Sequence, residues 1–144
     1  MGTQQILLIV LSVIIVGVAI AVGITMFGNQ AYNSNQQAVS GELQNYASQV
    51  VQYYKTPTAQ GGAGQDSTLV NAAGVAVFIG FTGANNSITT DNGEFRVTAA
   101  ANTAVTLKGL GKEKKSNKFP KITTTINLNT GTINSAVSSG TDFS

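Results

Sequence analysis

The chain has 144 residues, 42% of them hydrophobic and only 10% charged, well below the roughly 25% charged of an ordinary soluble domain. That length supports one modest domain plus one further long element, and it excludes a multidomain enzyme. His and Cys are both absent, which removes the usual ligands of zinc, iron and copper, the usual base of a nucleophile triad and any disulfide staple, so neither catalysis nor a cofactor is expected.

The formal net charge of +2 is unevenly distributed. Nothing is charged before Glu42, and the positive excess comes chiefly from Lys112, Lys114, Lys115, Lys118 and Lys121, with Glu113 among them. A lysine cluster between apolar strands reads as a solvated turn. Only Phe119 accompanies it as an aromatic, so no nucleic-acid partner is indicated.

From the N-terminus, Ile6 to Phe27 form an uncharged apolar run broken only by Ser12, Thr25 and the glycines Gly17 and Gly23. As a helix it measures about 33 Å, close to the roughly 30 Å thickness of bilayer hydrocarbon. A soluble core helix would show a polar stripe, and none is present. A secretory signal peptide would need a basic flank and a shorter core. Lys and Arg are absent until Lys55, and the expectation is that a basic leader has been removed.

The next stretch carries apolar residues at Val39, Leu43, Tyr46, Ala47, Val50, Val51 and Tyr54, a helical stripe opposite Gln36, Gln37, Ser40, Gln44, Ser48 and Gln52. The same helix is therefore predicted to continue, turning from apolar to amphipathic. Gly28 and Gly41 disfavour helix without supplying a turn. Pro57 ends the helix at Lys55 or Thr56. Val39, Leu43, Tyr46, Val50 and Tyr54 are the expected contacts between helix and sheet.

After the linker TPTAQGGAGQDST the chain reads as all-β. Gly61, Gly62 and Gly64 carry no phosphate-binding fingerprint. Leu69 to Phe81 admit a short helix around Leu69–Ala73 and a buried strand at Val75–Ile79, an assignment left open. A hairpin follows, with Ile88, the turn Asp91-Asn92-Gly93, then Phe95, Val97 and Ala99 alternating with Glu94, Arg96 and Thr98. A strand at Ala104–Leu110 comes next. Ile122, Thr124, Ile126 and Leu128 alternate with polar neighbours, and Asn129-Thr130-Gly131 turns the chain into Thr132–Val137. The fold class is thus α+β: a long N-terminal helix over residues 1–56 and a small antiparallel head with its Gly-rich linker over 57–144.

This order of parts, spanning nearly the whole chain, resembles the type IV pilin family. The local likeness is carried by AYNSNQQAVSGELQNYASQVVQYY, residues 31–54. The resemblance implies a leader cut off by a prepilin peptidase with Met1 as the new N-terminus, storage in the cytoplasmic membrane, and polymerisation by assembly machinery into an extracellular filament cored by the apolar helices. The partner is then the chain itself. Where bacterial members usually carry a glutamate that pairs with a neighbour's amino group, this chain has Gln5, preceded by Gln4. It also lacks the proline often found near Val22 and the family's cysteine-closed loop. Archaeal pilins lack that glutamate too. Docking would then use Met1, Gln4 and Gln5, through a charge-assisted hydrogen bond to the ammonium.

Filament-core packing is expected of Ile6, Leu7, Val10, Ile14, Gly17, Ala21, Gly23 and Ile24, with the small residues, Ala19 among them, allowing close approach. Two rival readings are a single-span membrane protein whose β head binds outside the cell without polymerising, and a secretion-system pseudopilin. Asp66, Asp91, Glu94, Glu113 and Asp142 are too scattered for a calcium loop. Phe27, Tyr32, Tyr46, Tyr53 and Tyr54 read as packing residues rather than a path for charge. Asn85-Asn86-Ser87 matches a glycosylation sequon, a motif short enough to arise by chance.

Overall fold

A computed structural model describes residues 2–144. Its first element, α1 (Gly2–Lys55), is one uninterrupted helix of 54 residues, about 80 Å long. It contains no proline, and its two hydroxyls in the apolar run bond to the helix itself: Ser12 Oγ donates to the Leu8 carbonyl at 2.7 Å and Thr25 Oγ1 to that of Ala21 at 3.0 Å. The helix ends where expected, with Thr56 N and Oγ1 both donating to Gln52 O before Pro57.

The Gly-rich linker is an ordered cap on that end. Ala63 N donates to Tyr53 O at 2.9 Å, Gly64 N to Thr56 O at 2.8 Å and Gln65 N to Tyr54 O at 2.7 Å, meeting carbonyls that a helix C-terminus leaves without partners. Gly62 is pressed against Thr56, where a β-carbon would lie 2.1 Å from the Thr56 oxygen. Ala63 is fully buried.

The assignment left open over Leu69–Phe81 resolves to a helix, α2 (Ala72–Phe78), where a strand at Val75–Ile79 was one possibility. Asn71 starts it by accepting from Gly74 N at 2.7 Å, as an N-cap side chain does. The buried side chains Val75, Ala76 and Ile79 fall at helical spacing, whereas Val77 between them is 77% exposed; alternation would have buried Val77. Gly80, at φ +84°, closes the helix, with Phe81 N donating to Ala76 O at 2.7 Å.

Five strands follow as an antiparallel meander in sequence order: β1 (Ser87–Thr89), β2 (Gly93–Ala101), β3 (Ala104–Gly111), β4 (Phe119–Asn127) and β5 (Thr132–Gly140). The α+β class and the hairpin turns are those read from the sequence. One alternation is not. Val97 pairs with Leu107 but Ala99 pairs with Thr106, so Thr98 is the extra residue of a β-bulge. The bulge moves Ala99 to the exposed side and brings Ala100 against the core.

The core lies between one face of α1 and the inner face of the sheet. Val39, Leu43, Ala47 and Val50 meet Phe95, Leu107, Ile122 and Ile126, all completely buried. Gly109 in β3 lets the helix approach: a β-carbon there would stand 2.7 Å from Val39 Cγ1 and 2.9 Å from Leu43 Cδ1. Tyr46 packs on Phe81 and Phe95 at centroid separations of 4.9 and 5.3 Å, and Tyr53 on Phe78 at 5.4 Å.

Candidate assembly interface

The amphipathic half of α1 belongs to the head, but the apolar half touches nothing. Every residue from Gly2 to Gly28 is exposed. Ile6 is 62% exposed, Val10 50% and Ile24 69%, and Leu7, Ile14, Gly17, Ala21 and Gly23 are exposed with them. This helix is long and apolar enough to cross a membrane, with a mean hydropathy of 3.2 in its most apolar window and none of that window buried.

The eight residues expected to pack do not share one face. At 3.6 residues per turn, Ile6, Val10, Ile14, Gly17, Ala21 and Ile24 fall within about 40° of a common line, and Leu7 borders it. Gly23 lies on the far side with Ala19. There the two small residues open a shallow apolar groove against Ile15, Val22 and Met26. Nothing approaches within 4 Å of the place where a β-carbon on Gly17 or Gly23 would stand. The segment thus offers two opposed faces of close approach.

Gln4 and Gln5 occupy the first turn of α1 and are exposed. Met1, the third member of the expected docking group, lies outside the described residues. Of the five residues expected between helix and sheet, Val39, Leu43, Val50 and Tyr54 are buried and Tyr46 is partly buried against the same core. Tyr54 Oη donates to Gln65 O at 3.0 Å and meets Asn129 Oδ1 at 3.1 Å. Tyr53 is buried too. Phe27, by contrast, is 77% exposed and has no packing role within the chain.

Two polar residues fix the helix to turns of the head, and sequence reasoning passed over both as clasps; a third, Gln44, donates from Nε2 to Ser135 Oγ on β5 at 3.0 Å. Asn35 Nδ2 donates to Asn92 O at 2.7 Å, while its Oδ1 accepts from Lys112 N at 2.9 Å and Glu113 N at 3.2 Å. Glu42 accepts from Thr90 Oγ1 at 3.1 Å and from Asn92 Nδ2. Together they hold the β1–β2 turn and the start of the β3–β4 turn beside α1. The signal for Asn35 was its place four residues before Val39, a polar side chain on an otherwise apolar stripe. Burial, and secondarily the Glu42 charge, raises the pKa of the Tyr46 hydroxyl.

The lysine loop is a hairpin turn. Lys115 and Lys118 exchange both backbone hydrogen bonds, 2.9 and 3.0 Å, around Ser116 and Asn117 at φ +51° and +62°, the backbone of a tight two-residue hairpin. Lys112, Glu113, Lys114, Lys115 and Lys118 are exposed. Asn85, in the sequon, is exposed in another turn, at φ +58°.

No protein-family model, curated protein or solved structure matches this chain significantly.

Proposed function

We propose that this chain is a structural subunit that polymerises into an extracellular type IV pilus-like helical filament through packing of its apolar helices. The observation that carries the reading is the uncharged first half of α1, which leaves the head as an apolar helix with every residue exposed. Such a surface needs an apolar surrounding on all sides. Before assembly the cytoplasmic membrane supplies it; afterwards identical helices do.

Exchange of lipid for protein changes the apolar environment little, so association rests on close packing rather than on burial from water. Two features of α1 support that exchange. Its small residues lie on two opposed faces, so each helix can be gripped from two sides and contacts can propagate, whereas a single face would suffice only for a dimer. The two hydroxyls within Ile6–Phe27, on Ser12 and Thr25, are bonded to the helix's own carbonyls, which leaves neither as an unsatisfied donor in an apolar core. Processing by a prepilin peptidase and extrusion by an assembly machine belong to this reading. The head forms the filament surface, and the subunit performs no chemistry.

Electron microscopy of sheared surface material, with antibody to the head, tests the proposal. Long filaments decorated along their length are expected. If no growth condition yields filaments, the chain is a solitary single-span protein or part of a short pseudopilin piston, and the proposal fails.

A further inference from the structure

The lysine-bearing turn is not placed at random on the head. Gly109 of β3 lies over Val39 and Leu43, and Gly111 lies over Asn35, so β3 runs toward the N-terminal half of α1 as it leaves the sheet. Lys112 and Glu113 are then tied to Asn35 by their backbone amides and stand beside Ala31. The turn Lys115–Lys118 continues beyond them in that direction. The head therefore has a rim facing the apolar half of α1, and the lysines are on it.

Distances decide what this rim meets if Ile6–Phe27 spans a bilayer, the reading on which the following inference rests. Asn35 is eight residues past Phe27, or about 12 Å along the helix. The headgroup layer on each side of the hydrocarbon is about 5–8 Å deep. The three steps from Lys112, where the chain bends, to Lys115 recover at most about 10 Å; half of that already brings the turn to the headgroup layer and within a screening length of about 8 Å.

Lys112, Lys114, Lys115 and Lys118 share the rim with Asp91, Glu113 and the Glu42 carboxylate held by Thr90 and Asn92, which leaves a positive excess. None of these lysines is in an ion pair: among the described residues the one salt bridge is Arg96–Glu94, on β2. Lys114 lies over the Phe119 ring at 4.9 Å, and Phe119 is itself part-exposed. We infer that this rim is a docking surface for anionic lipid headgroups, which holds the head of the unassembled subunit down on the membrane and is released when the helix leaves the bilayer. The clasps at Asn35 and Glu42 keep the rim aimed at the lipid.

The chain has no cysteine, so Ser116→Cys and Thr130→Cys each accept a single environment-sensitive fluorophore, the first on the rim and the second at the opposite end of the sheet. Each labelled full-length chain is reconstituted into phosphatidylcholine vesicles, or into vesicles in which about a third of the lipid is phosphatidylglycerol. The residue-116 label is expected to shift to the blue in the anionic vesicles alone and to return as salt is raised, while the residue-130 label stays unchanged. Combining Lys112→Gln, Lys115→Gln and Lys118→Gln lowers the docked-to-undocked ratio by about fivefold per lysine. Hydrogen exchange of residues 112–119 in the unlabelled chain gives the same comparison without a substitution, with slower exchange expected in the anionic vesicles. Equal behaviour in both lipids, from chain that floats with the vesicles, overturns the docking inference and leaves the span intact. Chain that floats with neither lipid removes the span and the docking together.

Discussion

Replacing Gly109 with alanine adds one methyl group where the helix and sheet are closest. Its carbon would lie 2.7 Å from Val39 Cγ1, 2.9 Å from Leu43 Cδ1 and 3.0 Å from Phe95 Cε1, against about 3.5–4.0 Å for carbon atoms in ordinary contact. All three neighbours are completely buried, so none can swing into solvent. Relief requires moving α1 away from β3 by a fraction of an ångström, against the clasps at Asn35 and Glu42. Overpacking of this kind costs about 1–3 kcal/mol, and each kcal/mol lowers the melting temperature of a head this size by about 4–8 °C. Thermal unfolding of the full chain in detergent micelles, followed by near-ultraviolet circular dichroism, measures it. Gly28→Ala is the control, since nothing lies within 4 Å of its β-carbon position and alanine favours a helix interior by about 0.5–1 kcal/mol. If Gly109→Ala melts at or above the parent, the close approach described for α1 and β3 is wrong.

Asn35→Ala removes three hydrogen bonds and leaves the Lys112 and Glu113 amides without their acceptor; a loss of about 1–3 kcal/mol is expected, read as faster hydrogen exchange at those two amides with the β5 amides unchanged. Asp66 accepts from Thr68 Oγ1 at 2.7 Å and Thr68 N at 2.9 Å, and these bonds hold its carboxyl below the ordinary value. A depressed folded pKa stabilises the turn above the unfolded carboxylate pKa, and that stabilisation is lost as pH falls through the folded value. Protection of the Thr68 amide should therefore weaken only in acid, and Asp66→Asn should abolish that pH dependence.

The long helix was legible because its two halves follow simple rules: an unbroken apolar run, then a 3.6-residue stripe, then Pro57. The sheet was legible from Asp91-Asn92-Gly93 and from the alternation at Ile122–Leu128. What stayed hidden depended on contacts distant in the chain. Val75–Ile79 are strand-forming residue types, and only the Asn71 cap and the pocket for Val75, Ala76 and Ile79 make them helical. Local alternation placed Ala99 inward, because a bulge at Thr98 follows from pairing with β3 and not from neighbouring residues. Asn35 and Glu42 look like solvated helix residues until the turns they hold are folded against them. The apolar candidates Ile6 to Ile24 were visible as a group, but their division into two faces appears only once the helix is laid out, with Gly23 opposite Gly17 and Ala21.

In the proposed filament, apolar helix packing rather than the head would hold the subunits together. All eight Lys and Arg and all six Asp and Glu follow residue 41, so packing the apolar half of α1 against identical helices would desolvate no charged side chain. Val16→Asp introduces one at a cost of about 2.5–3.5 kcal/mol even on insertion scales, while Lys115→Ala alters an exposed turn and leaves the other rim lysines in place. The decisive measurement is the number of filaments per cell by electron microscopy for these two variants, with total subunit matched by immunoblot. Loss of filaments in Val16→Asp and near-parental numbers in Lys115→Ala are expected. Normal filaments in Val16→Asp together with loss in Lys115→Ala would contradict the claim and make the head the adhesive element.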